Sequence, residues 1–237
     1  MITSFKGEHA FLSNFFAAPV PYNGVTYLNN EAAFQASKTQ NLEMRMKFAK
    51  MDPSQAKYAG RRVWLRSDWE AIKLRVMYEV CRSKFTANPV LAEKLLATGD
   101  ELLIEGNTWN DRYWGAVASK DPMSILAYEG ENWLGRILMR VREELRTGKV
   151  LQLVEVSLTG NAGFFVVADN SEVAKADAES LVGAGVVTGL TKANKTDITT
   201  TVKSVRPATM REYAKIKAET YKAEGDFLMM SEWARGL

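Results

Sequence analysis

The amino-acid composition changes abruptly near Thr147-Gly148-Lys149, and this change limits what the chain can fold into more than any other feature. Five of the six tryptophans lie before this point, whereas valine- and threonine-rich runs follow it. A change of composition across a short polar stretch is typical of a boundary between modules, and 237 residues suffice for one medium-sized and one small domain. The sequence therefore predicts two domains, residues 1–148 and 149–237.

Charge and cysteine content limit the functional classes. The formal charge of +3 does not by itself indicate nucleic-acid binding, but residues 1–149 hold 21 Lys and Arg against 17 Asp and Glu, so phosphate attraction is expected there. Cys81 is the only cysteine, which excludes an intramolecular disulfide and a cysteine-based zinc cluster and favours a reducing, cytoplasmic location. The sequence shows no signal-peptide pattern and no apolar run of ~18 residues, so neither export nor membrane insertion is expected.

Apolar spacing and turn residues predict a mainly helical first domain with short strands, followed by a small α+β module. In residues 5–28, Pro19, Pro21 and Asn23-Gly24 favour short strands and turns. Asn30 and Ser54 are predicted helix caps. Helices are predicted over 30–41, 42–51, 55–60, 67–87, 89–97, 132–147, 172–182 and 208–222. Strands are predicted over 150–158, 163–168 and 198–205, and residues 100–120 have no regular pattern. The fold class is α+β.

The segment NNEAAFQASK, residues 29–38, combines polar side chains with alanines at helical spacing. At ~100° per residue, Glu31, Gln35 and Lys38 share one strip of the helix, and the alanines gather on the other side, where another backbone can approach closely. This pattern has two interpretations. Either the strip faces a binding site, or it is a solvated face with Glu31 placed to favour the helix dipole.

Two further segments suit a ligand that carries a flat base and phosphates. In LIEGNTWNDRYWG, residues 103–115, the polar side chains of Glu105, Asn107, Asn110 and Asp111 alternate with aromatic rings that include Trp109 and Trp114, as in a site that stacks on a base and reads its edge. A core loop held by tryptophans is the alternative. In GRRVWLRSDWE, residues 60–70, guanidinium groups such as that of Arg61 match phosphate oxygens, although a charged helix edge also explains the run.

These segments, together with FLSNFF (11–16), NEAAFQASK (30–38), LLATGDELLIEGNTWNDRYWG (95–115) and NWLGRILMRVREEL (132–145), occur in an order and spacing that resemble the NADAR family, also called YbiA-like, over residues 3–147. The resemblance implies an N-glycosidase. Some members of this family are linked to a ribosylamino-pyrimidine intermediate of riboflavin synthesis, and others remove ADP-ribose from guanine bases of nucleic acid. The resemblance does not extend to residues 150–237.

The resemblance also assigns residues. It implies that Glu31 and Lys38 are catalytic, together with Asp111 of the Asn-Asp-x-x-Trp-Gly block. The side chains that it assigns to substrate binding are Ser13, Asn14, Phe15, Trp69, Asn110, Trp114, Gly115, Asn132 and Arg136, and the residue patterns above add Gln35, Arg61, Asn107 and Trp109. One departure is Ala32, where many relatives have a histidine, and this raises the expectation of altered substrate choice or weakened catalysis.

The residue types suit cleavage of a ribose–nitrogen bond. Glu31 can stabilise an oxocarbenium-like state and orient water, by analogy with other glycosidases. Lys38 is either an imine-forming nucleophile or a phosphate-binding group, Asp111 positions water or a ribose hydroxyl, and Trp114 or Trp69 stacks on the base. No metal and no cofactor are expected, because clustered ligands with metal-site spacing are absent.

The sequence hypothesis is an N-glycosidase that removes ADP-ribose from guanine in nucleic acid. Three alternatives stay open. The first is a hydrolase of a ribosylamino-pyrimidine, and the second is a non-catalytic protein that binds NAD or ADP-ribose. In the third, the C-terminal module binds an unidentified partner or DNA.

Overall fold

The computed structural model of the protein describes residues 1–120, 127–148, 152–158, 163–168, 200–207 and 209–211. The chain divides into two compact units, Met1–Arg146 and Thr147–Leu237. The first unit begins with a 3-10 helix, Gly7–Leu12. The elements that follow are β1 (Ala17–Tyr22), β2 (Val25–Asn29), α1 (Asn30–Ala36), α2 (Leu42–Phe48), α3 (Pro53–Gly60), α4 (Trp69–Ala87), α5 (Pro89–Ala97), β3 (Val117–Ala118), β4 (Tyr128–Glu129) and α6 (Trp133–Thr147). The predicted α+β class is confirmed.

Strands β1 and β2 form an antiparallel hairpin that turns at Asn23-Gly24. Both turn residues have positive φ, 48° and 78°, as the tight turn of a two-residue hairpin requires. The register pairs Val20 with Tyr27, and both side chains are fully buried, so one face of the hairpin packs into the core. The predicted strands and turn are confirmed.

Helix α1 is buried along its whole length. The small side chains of Ala32, Ala33 and Ala36 are completely covered, which lets α1 contact α2, α3, α4 and the hairpin together. Its cap is Asn29, whose side chain accepts the Ala32 N–H at 2.7 Å, so the prediction of Asn30 was wrong by one residue.

The predicted end of α1 near residue 41 was also wrong, because the helix ends at Ala36. The Ser37 hydroxyl donates to the Ala33 carbonyl at 2.8 Å, and the N–H groups of Lys38 and Thr39 bond to carbonyls only three residues earlier. These bonds tighten the chain out of the α-helix. Lys38 therefore lies in a turn just beyond α1 and not on the helix itself.

Helix α3 begins two residues before its predicted start, because its cap is Asp52 and not Ser54. Asp52 and Gln55 form a reciprocal capping box, and Pro53 occupies the first helical position, where its missing N–H does no harm. Helix α4 begins at Trp69, two residues later than predicted, and α5 has the predicted bounds.

Helix α6 carries a buried ion pair as well as its predicted apolar face. Arg140 Nε donates to Glu144 Oε1 at 2.9 Å with both side chains almost fully covered, and the Tyr78 hydroxyl donates to Glu144 Oε2 at 2.7 Å. A buried charge needs such partners, because desolvation otherwise opposes its burial. The helix is therefore an internal element and not a surface helix with one solvated side.

The second unit contains three described strands, β5 (Gln152–Leu158), β6 (Gly163–Ala168) and β7 (Thr200–Pro207). They form one antiparallel sheet in the order β6-β5-β7, which confirms the predicted strands, with β7 displaced by two residues. The predicted helix over 172–182 and most of that over 208–222 lie outside the described residues. Within the described part of the chain, no helix combines the length and apolarity needed to cross a bilayer.

Candidate active site

A cavity of about 1290 Å³ opens in the first unit between α1, α3, α4, the segment 5–17 and the loop 105–114. It contains twelve of the sixteen site residues predicted from the sequence. These twelve are Ser13, Asn14, Phe15, Glu31, Gln35, Lys38, Arg61, Trp69, Asn107, Trp109, Asp111 and Trp114. Residues separated by a hundred positions in the sequence thus line one space.

Glu31 lies on α1 with only 7% of its surface exposed. Gln35, one turn later, donates a hydrogen bond from Nε2 to Glu31 Oε1 at 2.8 Å. Burial raises the pKa of the Glu31 carboxyl, against the opposing effects of the Gln35 hydrogen bond and of the charges on Lys57, Lys38 and Arg61. The solvated-face interpretation of this strip is therefore wrong.

The absence of a side chain at Gly60 makes room for Gln35. A β-carbon at Gly60, the last residue of α3, would overlap the Gln35 side chain. The Gly60 carbonyl also accepts a long hydrogen bond from Lys38 Nζ at 3.4 Å. The end of α3 therefore positions both the amide that orients Glu31 and the amine beside it.

Lys38 brings a half-buried amine into the same cavity. Burial lowers the pKa of its amine, the neighbouring Glu31 carboxylate raises it, and Arg61 lowers it again. Its Nζ lies 5.8 Å from the centre of the Trp69 ring. A lowered pKa increases the neutral fraction of the amine, which is the nucleophilic form.

Asp111 and Asn107 shape the aromatic loop as well as lining the cavity. Asn107 Oδ1 accepts the Asp111 N–H at 2.9 Å, and Asn107 Nδ2 donates to the Asp111 carbonyl at 2.7 Å. Asp111 Oδ1 accepts the N–H groups of Tyr113 at 3.1 Å and Trp114 at 2.9 Å. These bonds hold the turn that points Trp114 inwards.

The aromatic residues form a buried wall and an exposed rim. On the wall, the Phe34 ring lies 5.0 Å from Trp69 and 5.3 Å from Trp114, and Trp69 is only 5% exposed. On the rim, Phe15 is 42% and Trp109 59% exposed. Both interpretations of the loop 103–115, as a base-binding site and as a core loop, therefore hold in part. Trp114 packs against Phe34 in the buried wall, whereas Trp109 on the rim is exposed and open to a ligand.

Four predicted binding residues do not line the cavity: Asn110, Gly115, Asn132 and Arg136. Asn110 takes a left-handed backbone conformation with φ of 65°, and its Oδ1 accepts a bond from Arg112 Nε at 2.9 Å. The Arg136 guanidinium is buried 5.0 Å from the centre of the Trp133 ring, and burial lowers its pKa to about 10. These four side chains lie outside the lining of the cavity, so their contact with a substrate stays a prediction.

Gly115 and Asn132 instead support residue 105. Asn132 Oδ1 accepts the Glu105 N–H at 2.9 Å, and Asn132 Nδ2 donates to the Leu103 carbonyl at 2.8 Å. A β-carbon at Gly115 would overlap the Glu105 carbonyl oxygen, so only glycine allows this approach of the two backbones.

Glu105 is a cavity residue that was not among the predicted site residues, although its segment was. Its Oε2 is buried without a hydrogen-bond partner among the described residues. Burial, with a contribution from the negative charge of Asp111, raises the pKa of the Glu105 carboxyl to about 7, against the charges of Lys57 and Lys6.

The sequence prediction also missed several charged lining residues, including Lys6, Lys57, Glu70 and Lys73. Lys57 Nζ lies 5.5 Å from the Phe15 ring centre, and Lys73 Nζ lies 4.2 Å from that of Tyr113. The spacing of Lys57 and Arg61, four residues apart at the end of a predicted helix, was the available signal that they share a face. Within the described part of the chain, no group of three or more His, Cys, Asp or Glu side chains is arranged to hold a metal ion.

The fold and the cavity define an α+β domain in which carboxylates, an amine and indole rings meet at one site. A family model, the NADAR domain, matches residues 3–146, and the chain belongs to the NADAR family.

Two curated relatives extend this assignment. A riboflavin biosynthesis protein of Vibrio vulnificus is 36% identical over 151 residues, which cover 62% of this chain and 39% of that protein. The N-glycosidase YbiA of Escherichia coli is 34% identical over 149 residues, covering 62% of this chain and 88% of that protein. This chain thus spans only about two-fifths of the Vibrio protein but most of YbiA.

A solved structure agrees with the sequence comparison. The NMR structure of the E. coli protein YbiA superposes with a TM-score of 0.52 at 33% identity, covering 62% of this chain and 86% of that one. The names of the relatives support a glycosidase-type hydrolase within the family.

Proposed function

We propose that the cavity hydrolyses an N-ribosyl bond and that its substrate is ADP-ribose attached to a guanine base of nucleic acid. The observation that carries this proposal is the placement of Glu31 and Lys38 in one aromatic-walled cavity, with Gln35 bonded to the Glu31 carboxylate. Cleavage of a ribose–nitrogen bond builds positive charge at the anomeric carbon, which a nearby carboxylate stabilises.

Glu31 is the proposed catalytic base. Its buried carboxylate has a raised pKa, which makes it a better proton acceptor at neutral pH than an exposed glutamate. The Gln35 hydrogen bond leaves Oε2 of Glu31 free of that contact to orient a water molecule. Asp111 holds a ribose hydroxyl in this proposal.

Lys38 has two possible roles in the proposal. As a nucleophile, its amine forms an imine with the opened sugar, and the lowered pKa of the amine supports this role. As a cation, it binds a phosphate together with the other positive groups of the cavity. Trapping with borohydride separates the two roles, because only an imine is reduced to a stable adduct on Lys38.

The size and charge of the cavity favour an ADP-ribosyl substrate. Its volume of about 1290 Å³ exceeds the roughly 300–1,000 Å³ that is usual for small-molecule pockets. Among the described residues, five cationic side chains line the cavity, which suits a diphosphate: Lys6, Lys38, Lys57, Arg61 and Lys73. The exposed rings of Trp109 and Phe15 are the proposed stacking partners of the base.

A small ribosylamino-pyrimidine is the second candidate substrate, and the name of the Vibrio relative favours it. A non-catalytic role in binding NAD or ADP-ribose is the third candidate, because position 32, where the family resemblance implies a histidine, is an alanine. Calorimetry that shows tight ADP-ribose binding without base release from any substrate supports this third role.

The decisive experiment compares base release from two substrates, an ADP-ribosylated guanine oligonucleotide and the free ribosylamino-pyrimidine. Wild-type protein, Glu31→Ala and the control Glu43→Ala, on the exposed side of α2, are assayed together. We expect the wild type and Glu43→Ala to cleave the oligonucleotide at equal rates, and Glu31→Ala to be slower by about 10²–10⁴-fold. Equal rates for all three, or no cleavage by any, refute the proposal.

We also propose that residues 149–237 bind a macromolecular partner, and that the protein works in the cytosol. The first point is tested by pull-down with the full chain and with a chain that ends at residue 148. Loss of one captured partner with full retention of base release supports a division of labour between the two units.

A further inference from the structure

The backbone of Glu105 is held on both sides, and its carboxyl group reaches the cavity with one oxygen that has no partner among the described residues. Its N–H donates to Asn132 Oδ1 at 2.9 Å, and its carbonyl accepts the Ala116 N–H at 3.0 Å, so the backbone is fixed on both sides. Glu105 lines the cavity, yet its Oε2 is out of contact with solvent and accepts no hydrogen bond from the described residues.

An ionised carboxylate in this position would be a buried charge with an oxygen left unsatisfied, which is costly. A protonated carboxyl is neutral, and because Glu105 lines the cavity its hydrogen can be donated there to a ligand that enters. We propose that Glu105 holds a proton at neutral pH and donates it to the nitrogen of the departing base, an inference that rests on the proposed function.

The charges around Glu105 agree with this role. Burial and the nearby Asp111 raise the pKa of its carboxyl to about 7, whereas Lys57 and Lys6 act in the opposite direction. The other charged groups that line the cavity are Glu31, Lys38, Arg61, Glu70 and Lys73. A general acid works best when its pKa lies near the working pH, because both the protonated fraction and the acidity are then favourable.

The proton balance of the step involves two carboxyl groups. As the ribose–nitrogen bond breaks, its electron pair stays on the nitrogen, which takes the proton of Glu105. Water adds its oxygen to the anomeric carbon and gives a proton to the Glu31 carboxylate. Return of that proton through solvent to Glu105 restores the enzyme, and the sum of the reaction is hydrolysis.

The first test is the pH dependence of single-turnover base release from the ADP-ribosylated oligonucleotide. Wild type loses activity as pH rises through about 7, because Glu105 gives up its proton. Glu105→Gln keeps the shape of the glutamate side chain but has no acidic proton to give to the base. We therefore expect its rate to be about 100-fold below that of wild type at pH 6, with no decline as the pH rises through 7. Glu93→Gln, the same change at an exposed position on α5, should match wild type. An unchanged rate and pH profile in Glu105→Gln overturn the inference.

The second test does not depend on turnover. Carboxyl carbons of glutamate are labelled with ¹³C and titrated by NMR, and one signal that titrates near pH 7 should be missing in Glu105→Gln. Guanosine is used to probe the hydrogen bond that the protonated Glu105 carboxyl donates to the base. Its affinity for wild type should fall above pH 7, whereas its affinity for Glu105→Gln should not, because the glutamine amide donates at any pH. If neither wild type nor any variant cleaves any substrate, the proposed function fails. A Glu105 signal that titrates near pH 4, or a guanosine affinity of wild type that does not change with pH, refutes the inference about Glu105.

Discussion

Gln35 Nε2 donates a 2.8 Å hydrogen bond to Glu31 Oε1, one turn earlier on the buried helix α1. Spacing of i and i+4 puts the two side chains on one strip, and burial keeps water from competing for the carboxylate. The amide thus selects one orientation of Glu31 and favours its ionised form.

Replacement of Gln35 by leucine should shift the pH profile. Burial raises the pKa of the Glu31 carboxyl, and the hydrogen bond from Gln35 lowers it. Loss of the hydrogen bond should therefore raise this pKa further. Activity that needs the ionised base should then begin at a higher pH, with kcat reduced about 10-fold and KM nearly unchanged. A kcat profile whose acidic limb does not move contradicts this prediction.

Substitution of Gly60 by alanine should disturb Glu31 indirectly, by displacing Gln35. The new β-carbon overlaps the Gln35 side chain, and Gly60 has no positive φ that would add a backbone effect. We expect a loss of about 1–3 kcal/mol in the free energy of unfolding and a drop in kcat.

The double variant Gly60→Ala with Gln35→Ala supplies the control for the Gly60 prediction. Truncation of Gln35 removes the overlap, so the alanine at position 60 should cause much less loss of stability in this background. Additive effects of the two substitutions on chemical denaturation would show that the contact does not matter.

Exposed tryptophans should differ in their effect on substrate affinity. Trp109 lines the cavity and is 59% exposed, whereas Trp64 is 91% exposed and does not line the cavity. If Trp109 stacks on the base, Trp109→Ala should raise KM about 5- to 150-fold, since such stacking contributes about 1–3 kcal/mol per base. Trp64→Ala is the matched control and should keep the KM of wild type. Equal effects of the two substitutions exclude a specific role for Trp109.

Lys84 should make stability depend on pH in the alkaline range. It is fully buried, and its Nζ donates to the carbonyls of Phe11 at 2.7 Å and Ser13 at 2.9 Å, which anchors a wall of the cavity. Burial lowers the pKa of its amine from 10.5 to about 8. Between pH 8 and 10.5 the unfolded chain therefore binds more protons than the folded one, and this group makes the folded state more stable as pH rises, by at most ~1.4 kcal/mol per unit.

Lys84→Met removes that contribution, so the difference between the unfolding free energies of wild type and variant should change with pH between 8 and 10.5. KM should also rise, because Phe11 and Ser13 lose their donor. A difference that stays constant across this range, measured by urea denaturation, argues against a buried amine with a lowered pKa.

Introduction of histidine at position 32 should destabilise the protein and not activate it. Ala32 is fully buried on the packed side of α1 and does not line the cavity. An imidazole there overfills the core, so we expect a loss of about 2–3 kcal/mol in unfolding free energy, with Ala32→Ser as the small polar control. A stable Ala32→His variant with higher kcat would contradict this prediction and show that the alanine at position 32 limits base release.

Much of the fold follows from local patterns. The Pro89 start of α5 and the Asn23-Gly24 turn lie where the backbone needs a fixed φ or a positive φ, whereas the cap of α3 is Asp52 and not the predicted Ser54. The end of α1 did not follow, because the Ser37 hydroxyl bonds to the Ala33 carbonyl and the next N–H groups bond three residues back. Such competition between side chain and backbone is decided by the packing around it.

The candidate site was predictable where its residues lie in one helical strip or one loop. Glu31, Gln35 and the aromatic loop were recognised on that basis. Lys57 was missed although it lies one helical turn before Arg61, and Lys73 was missed because it reaches the cavity from a helix whose orientation only packing sets. Asn132 was expected to bind substrate. In the structure it holds the backbone of Glu105 and does not line the cavity.

The sequence by itself determined the buried alanine face of α1, the carboxylate and amide one turn apart on it, and the excess of cations in the first domain, because helical spacing and charge are local properties. Tertiary structure alone decided that Glu105 shares a cavity with Glu31, and that its carboxyl has a pKa near 7. Desolvation and the charge of Asp111 depend on which segments meet in space, and no pattern along the chain encodes that distance directly.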